Sequence, residues 1–408
     1  MRLKTALLGI TVILLAAAII KFPEESFNAS LRGLKIWWEI IFPALFPFLL
    51  TSELLLSFGV VRFLGVLLEP LMRPLFNVPG VGGFVLTMGF ASGYPMGAKL
   101  SARLREQQLI SKTEGERLVA FTSTSDPLFI FGAIAVGFFH DPKLGVSLAI
   151  IHYLSSLLVG IVMRYYKKNE MKQPIKSRKP EKNILIRAFD AMHQARINET
   201  RGFGKLMGDG VMSSIETLLM IGGFIMFFSV ILTLITAIGL TNILASFLAI
   251  ILVPFGISLE LTSALINGFF EVTLGVKAVS EASVAVPLVQ KVAIVSLISA
   301  WSGISVHAQV AAIVQKTDIK YTPYLFGRII HSIFAFTLTF ILWEPLKLMS
   351  LTEVIPTFLN QVPTTIETFN YWSYYLFITI NISIMIASLV LLSIFAYLVE
   401  KIKQLKSD

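Results

Sequence analysis

Apolar runs long enough to cross a bilayer recur along this chain, at about residues 5–22, 36–57, 113–139, 142–164, 214–238, 285–315, 323–344 and 371–398. A hydrocarbon core of about 30 Å needs roughly 20 apolar helical residues. The pattern therefore predicts an all-α polytopic membrane protein with about eight transmembrane helices. Two runs are interrupted by polar residues, TSTSDP at 122–127 and SAWSGISVHAQ at 299–309. Two further segments, GFASGYPMGAK at 89–99 and GFFEVTLGVK at 268–277, are apolar but broken by glycine and, in the first, proline. A broken helix strands backbone N–H and C=O groups. In hydrocarbon such breaks persist only where protein or a wet cavity supplies partners.

The breaks belong to a repeat. A shift of 178 to 180 residues places Phe58-Gly59 on Ile238-Gly239, Phe76 on Phe255 and Gly89-Phe90 on Gly268-Phe269. It also places Gly97-Ala98-Lys99 on Gly275-Val276-Lys277, and Ile150-Ile151-His152 on Ile329-Ile330-His331. Ordered matches at near-constant offset are the signature of an internal repeat. If each glycine-broken segment enters and leaves by the same face, each copy crosses the membrane three times, an odd number, and the second copy is inverted.

Charge agrees with inversion. From Phe58 to Arg117 there are seven Lys or Arg residues; the matching stretch from Ile238 to Gln290 has only Lys277. Basic residues favour the cytoplasmic side, which places the first hairpin's end in the cytoplasm and the second's opposite. The expected organisation is a transmembrane helix and connector at 1–35, then a first repeat at 36–164 with a hairpin at about 80–110. A basic cytoplasmic linker and a headgroup-lying helix (Ile184 to Met207) fill 165–210. The inverted second repeat spans 211–345 with a hairpin at about 258–284, and 346–408 holds a loop and a last transmembrane helix. Both termini then lie in the cytoplasm. The first apolar segment reads as a retained helix rather than a signal peptide, because no small-x-small cleavage pattern follows it.

Two re-entrant hairpins meeting near the midplane, with helix N-termini and unwound carbonyls facing each other, make an inverted-repeat, secondary-transporter-like architecture. The candidate substrate-binding residues are Ser92, Tyr94 and Lys99 on the first hairpin, and Thr122, Ser123, Thr124, Ser125 and Asp126 in the first break. From the second copy come Glu271, Thr273 and Lys277, then Ser299, Trp301, Ser302, Ser305 and His307. Isolated membrane hydroxyls commonly bond their own i−4 carbonyl; the runs, broken by Pro95, Pro127 and Gly303, favour a functional reading. A charge at the bilayer centre costs about 2.5–3.5 kcal/mol, so Lys99 and Lys277 either hold an anion or snorkel to the interface. Glu271 is the leading candidate for a buried functional acid, Trp301 either stacks on substrate or packs, and His152 with His331 suits structural bonds between helices better than a proton relay.

Composition narrows the alternatives. Hydrophobic residues make up 55% of 408 and charged residues 14%, with a mean hydropathy of +0.77; no soluble protein of this length is expected with so little charge. The net charge of +9 sits largely in loops beside apolar runs, so it points to the inner leaflet, not to nucleic acid. There is no cysteine, which removes disulfides, thiolate metal sites and thiol nucleophiles. RGFGKLMG at 201–208 lacks the spacing and hydroxyl of a phosphate loop. No H-E-x-x-H occurs, and Ser123, Asp126, His152 and His307 do not sit in a nucleophile-elbow context. The expectation is a non-enzyme with no cofactor and no bound metal.

GFASGYPMGAK, TSTSDPLFIFG, GFFEVTLGVK and WSGISVHAQ together resemble the YlbJ, or stage V sporulation protein V, family of integral membrane proteins of endospore-forming bacteria. Each repeat resembles the nucleoside-recognition, or Gate, domain, which is related to concentrative nucleoside transporters. The resemblance implies transport of dipicolinic acid from the mother cell across the outer forespore membrane. A flat aromatic dianion would suit lysines, hairpin N-termini, hydroxyls and an aromatic neighbour. Asp126 and Glu271 would then carry a coupling proton or cation, or orient the lysines. A nucleoside or other small-solute permease, and a non-transporting scaffold, stand as the alternatives. The partners expected are the bilayer, a small anion and a second copy of the chain.

Overall fold

The computed structural model describes residues 2–167, 183–351 and 390, and all the regular structure among them is helical. Apart from residue 390, the last expected span, 371–398, lies outside the described residues. Helices α1 (Arg2–Lys21) and α2 (Pro23–Ile36) lead through a π-helical turn (Trp37–Ile41) into α3 (Phe42–Ser57). Gly59, with φ 77°, then turns the chain through 82° into α4 (Val60–Phe76). On α4 the buried residues Val61, Leu64, Gly65, Leu68, Met72 and Phe76 recur at helical spacing. Next come α5 (Val81–Ser92), α6 (Met96–Glu106) and α7 (Lys112–Thr122), the last started by a Ser111–Glu114 capping box. After residues 123–127 a π-helical segment (Leu128–Phe138) leads to α8 (Lys143–Met163).

The same succession follows the linker. Helix α9 (Ile184–Asn198) precedes the long α10 (Phe203–Ala237). Gly239, with φ 76°, opens α11 (Leu240–Leu252) as Gly59 opens α4. Helices α12 (Glu260–Phe270) and α13 (Val272–Ser280) occupy the places of α5 and α6. Helix α14 (Leu288–Trp301), a break at Ser302, α15 (Gly303–Val314) and α16 (Tyr321–Leu351) complete the order. The helix pairs α5–α6 and α12–α13 lie inside the segments 80–110 and 258–284.

Several elements differ from expectation. Among the described residues four segments can span a membrane by length and composition: Lys143–Met163, Phe203–Ala237, Leu288–Val314 and Tyr321–Leu346. The bent α3–α4 pair makes a possible fifth. The run at 113–139 is divided where TSTSDP interrupts it, as expected: α7 ends at Thr122 and the next segment starts at Leu128, since Pro127 clashes with a continuing turn. The headgroup helix expected over 184–207 stops at Asn198, and Phe203–Met207 belong to α10. Helix α9 packs on α4, with Phe189 against Phe63 at 4.9 Å between ring centroids.

Candidate functional site

Helices α5 and α6 turn at Gly93-Tyr94-Pro95, where the Tyr94–Pro95 peptide is cis. Gly93 has φ 73°, and a Cβ there would lie 2.7 Å from Asp126 Oδ2. Only glycine fits both the left-handed backbone and the close approach. The hairpin thus sits directly on the first break.

The four hydroxyls of that break divide into two pairs. Thr122 and Ser123 donate to their own i−4 carbonyls, Leu118 O at 2.8 Å and Val119 O at 3.3 Å. Thr124 instead donates to Gly89 O (3.2 Å) and Ser125 to Tyr94 Oη (3.0 Å), both on the hairpin. The unwound backbone is satisfied from α8: Tyr153 donates to Ser125 O (3.1 Å), and Ser125 N–H donates to His152 Nε2 (2.9 Å). Asp126 accepts from Phe129 N–H at 2.8 Å and so caps the segment that follows.

The second break is built differently. Ser302 and Gly303 are both left-handed, at φ 71° and 76°. Gly303 lies against Phe270 and Glu271, 3.0 Å from the Phe270 carbonyl at its absent Cβ position. Glu271 caps α13 by accepting from Leu274 N–H (2.8 Å), with Thr273 hydrogen-bonded beside it. Trp301 donates to Phe269 O (3.0 Å) and stacks on the Phe269 ring at 5.4 Å. His307 Nε2 donates to Trp301 O (2.9 Å), and its Nδ1 accepts from the Tyr321 hydroxyl (2.7 Å). Ser302 shares a hydrogen bond with Tyr324. Ser92, Ser299 and Ser305 are buried, and the hydroxyls of Ser92 and Ser299 have no hydrogen-bond partner among the described residues.

Tyr94 ties the two halves of the chain together. It accepts from Ser125, follows Gly93 on Asp126, and packs against the apolar clusters that contain Val272, next to Glu271, and Val306 and Tyr324. Both expected acids are therefore near one point, but each is engaged as a helix N-cap. The amino ends of α6 and α15 carry no side-chain cap. The lysines do not join this group. Lys99 points to α10 and α3, donating to Thr217 Oγ1 (2.8 Å) and Ser213 O (3.2 Å) with Glu53 at 3.8 Å. Lys277 is half exposed, 3.8 Å from Glu281 one turn away. The equivalence of the two lysines in sequence is not an equivalence of surroundings.

The cation at the centre is one that the repeat could not reveal. Arg328 of α16, 0% exposed, donates through Nη1 to Ser123 O (2.5 Å) and Ala300 O (3.3 Å), and through Nη2 to Ala120 O (2.7 Å). These carbonyls lie at the C-terminal ends of α7 and α14, where helix dipoles are negative. One guanidinium thus binds both breaks. Its signal in the sequence was simply an arginine inside an apolar run. The matched histidines do meet: their ring centroids are 4.8 Å apart, and His331 Nε2 donates to His152 O at 3.0 Å. Among the described residues no three His, Asp or Glu side chains group as metal ligands would.

A family model described as nucleoside recognition (Gate) matches residues 38–140, from the π-helical turn after α2 to just past the π-helical segment Leu128–Phe138. The sporulation integral membrane protein YlbJ of Bacillus subtilis (strain 168) is 49% identical over 346 residues, covering 85% of this chain and 84% of that protein. No solved structure matches the chain. Identity at that level over most of both lengths shows common descent: the chain belongs to the YlbJ family of sporulation integral membrane proteins.

Proposed function

We propose that this protein is a secondary transporter that moves a small aromatic dicarboxylate, dipicolinic acid, across the outer forespore membrane by alternating access. The observation that carries the reading is the convergence of both helix breaks and both hairpin tips on Tyr94 and Arg328. Broken helices with dipole ends aimed at one place near mid-chain depth are how such carriers hold charged solutes. In this reading the repeats are inverted, α5–α6 and α12–α13 are re-entrant from opposite faces, and both termini are cytoplasmic.

The ends of the molecule suit gating. Arg105 at the end of α6 forms a bidentate ion pair with Asp318 of the α15–α16 loop, at 2.8 and 3.0 Å. Lys320 N–H donates to buried Glu116 nearby. These bonds join the two copies on the basic side. At the other end the contact is apolar, with Phe138 and Phe139 packed into the cluster that includes Val279 and Val286. Opening one end and then the other would expose the centre alternately.

Uptake into proteoliposomes tests this. Purified protein should accumulate pyridine-2,6-dicarboxylate in response to an imposed gradient. Failure under every proton, sodium and potassium gradient, in either direction, would refute it. The Gate match favours one second reading, a nucleoside permease; saturable uridine uptake without dicarboxylate uptake would select it.

A further inference from the structure

Three buried nitrogen atoms at the centre have no hydrogen-bond partner among the described residues: Arg328 Nε, His152 Nδ1 and His331 Nδ1. Arg328, His152 and His331 are 0%, 2% and 0% exposed. They are neighbours. The two imidazoles touch, and Arg328 precedes His331 by one turn on the same face of α16. Buried polar groups are nearly always paired, so three orphans in one cluster require an explanation.

Their chemistry is fixed by the bonds already made. His152 Nε2 accepts an amide N–H from Ser125, so the proton of neutral His152 is on Nδ1, an unused donor. His331 Nε2 faces the His152 carbonyl and must donate, so its Nδ1 is an unused acceptor. Arg328 Nε–H is a donor in every state. Two donors beside one acceptor complement a carboxyl group together with one proton. One oxygen accepts from the N–H groups, and the proton sits between the other oxygen and His331 Nδ1. Arg328 also lacks what a buried cation needs: among the described residues no carboxylate pairs with it, and only carbonyl dipoles and the face of the Tyr324 ring, 5.5 Å away, offset its charge.

We infer that Arg328, His152 and His331 form the carboxyl-binding centre of the protein and that a carboxylate binds there with uptake of one proton. This rests on the carboxylate reading given above and assigns its cation. The binding charge is Arg328, and Lys99 and Lys277 are not part of it. The other ionisable groups facing the cluster are Tyr94 from the first hairpin, Tyr153 on α8, His307 on α15 and Tyr324 on α16, with the carboxyls of Asp126 and Glu271 one residue further out, beside Tyr94. As the breaks part, the guanidinium exchanges backbone carbonyls for a carboxylate, so ligand binding and separation of the two copies are one event.

Calorimetric titration of the detergent-solubilised full chain with pyridine-2,6-dicarboxylate, in buffers of different ionisation enthalpy, reads affinity and proton uptake together. The wild-type protein should take up about one proton per ligand. Arg328→Lys should weaken binding by roughly 10-fold and Arg328→Gln by roughly 100-fold, while Lys277→Gln stays within about 3-fold. Because Arg328 variants can misfold, His152→Gln is the second probe. It can keep an acceptor for the Ser125 amide but loses the Nδ1–H, and should cost roughly 10-fold in affinity. Folded Arg328 or His152 variants that bind as tightly as wild type would overturn the assignment and leave the transport reading intact. Tight binding without proton uptake would overturn the proton-coupled part of the assignment and with it the role of His331 Nδ1. A wild-type protein that binds uridine and no carboxylate would overturn the transport reading itself.

Discussion

Replacing Gly97 with alanine probes how the first hairpin is seated. An added Cβ at Gly97 would stand 2.3 Å from the Thr122 carbonyl oxygen and 2.7 Å from Thr122 Oγ1. At Gly89, on the other arm, the same oxygen would be 2.2 Å away. An ordinary carbon–oxygen contact is roughly 3.3 Å, so either substitution needs a displacement of about 1 Å. The obstacle is backbone at the end of α7, and it cannot rotate aside. Helices α5, α6 and α7 are buried around it, and close-packed interiors yield little. Overpacking of this kind costs about 1–3 kcal/mol, so Gly97→Ala and Gly89→Ala should each destabilise by that amount. The double variant should cost less than the sum, because a hairpin moved off Thr122 for one methyl makes room for the other. Gly208→Ala is the control: nothing lies within 4 Å of its Cβ position in α10, and alanine should stabilise the helix by about 0.5–1 kcal/mol. Equilibrium denaturation in mixed micelles, followed by tryptophan fluorescence, gives the differences. If Gly97→Ala proved as stable as Gly208→Ala, or the two hairpin costs added fully, the hairpin would not rest on the break as described.

Three further outcomes follow from named contacts. Lys277→Gln should change stability by less than about 0.5 kcal/mol, as expected of an exposed side chain, whereas Lys99→Gln should cost more because it removes a largely buried ammonium's bonds to Thr217 and Ser213 and its contact with Glu53; equal effects in the same denaturation assay would contradict their different surroundings. Arg117, fully buried, donates to Asn77 O (2.7 Å) and Tyr166 O (2.5 Å), so Arg117→Met should cost about 1–3 kcal/mol for each carbonyl stranded, read as a lowered denaturation midpoint. The hydrogen bonds from Arg105 hold the Asp318 carboxyl below its ordinary value, and those from Arg201 draw Glu199 down to about 2. With folded values depressed, both pairs stabilise the protein fully above the unfolded carboxylate range near 4 and lose that contribution as pH falls below it, the Glu199 pair toward about 2. Stability measured against pH should therefore drop in that window, and Asp318→Asn with Glu199→Gln should flatten the drop.

The sequence alone determined much of this architecture, because membrane spans and helix breaks are local matters. A run of apolar residues or a Gly-Tyr-Pro turn acts on the backbone where it stands. Gly59 and Gly239, matched by the repeat, adopt the same left-handed conformation at the same junction. The capping roles of Asp126 and Glu271 were legible too, since their partners Phe129 and Leu274 lie only three residues on. Instead their charge drew attention, and they read as free acids.

Tertiary structure alone decided what each charge faces. Lys99 and Lys277 share a register, yet the partners of Lys99 come from α3 and from α10, 114 and 118 residues further along the chain, while Lys277 meets only its own helix. Arg328 was visible as a charge in an apolar run, but its carbonyl partners are 28, 205 and 208 residues away. Its place on both breaks exists only once the two halves have packed. A buried charge is defined by the dipoles around it, and in this fold those dipoles arrive from distant turns of the chain.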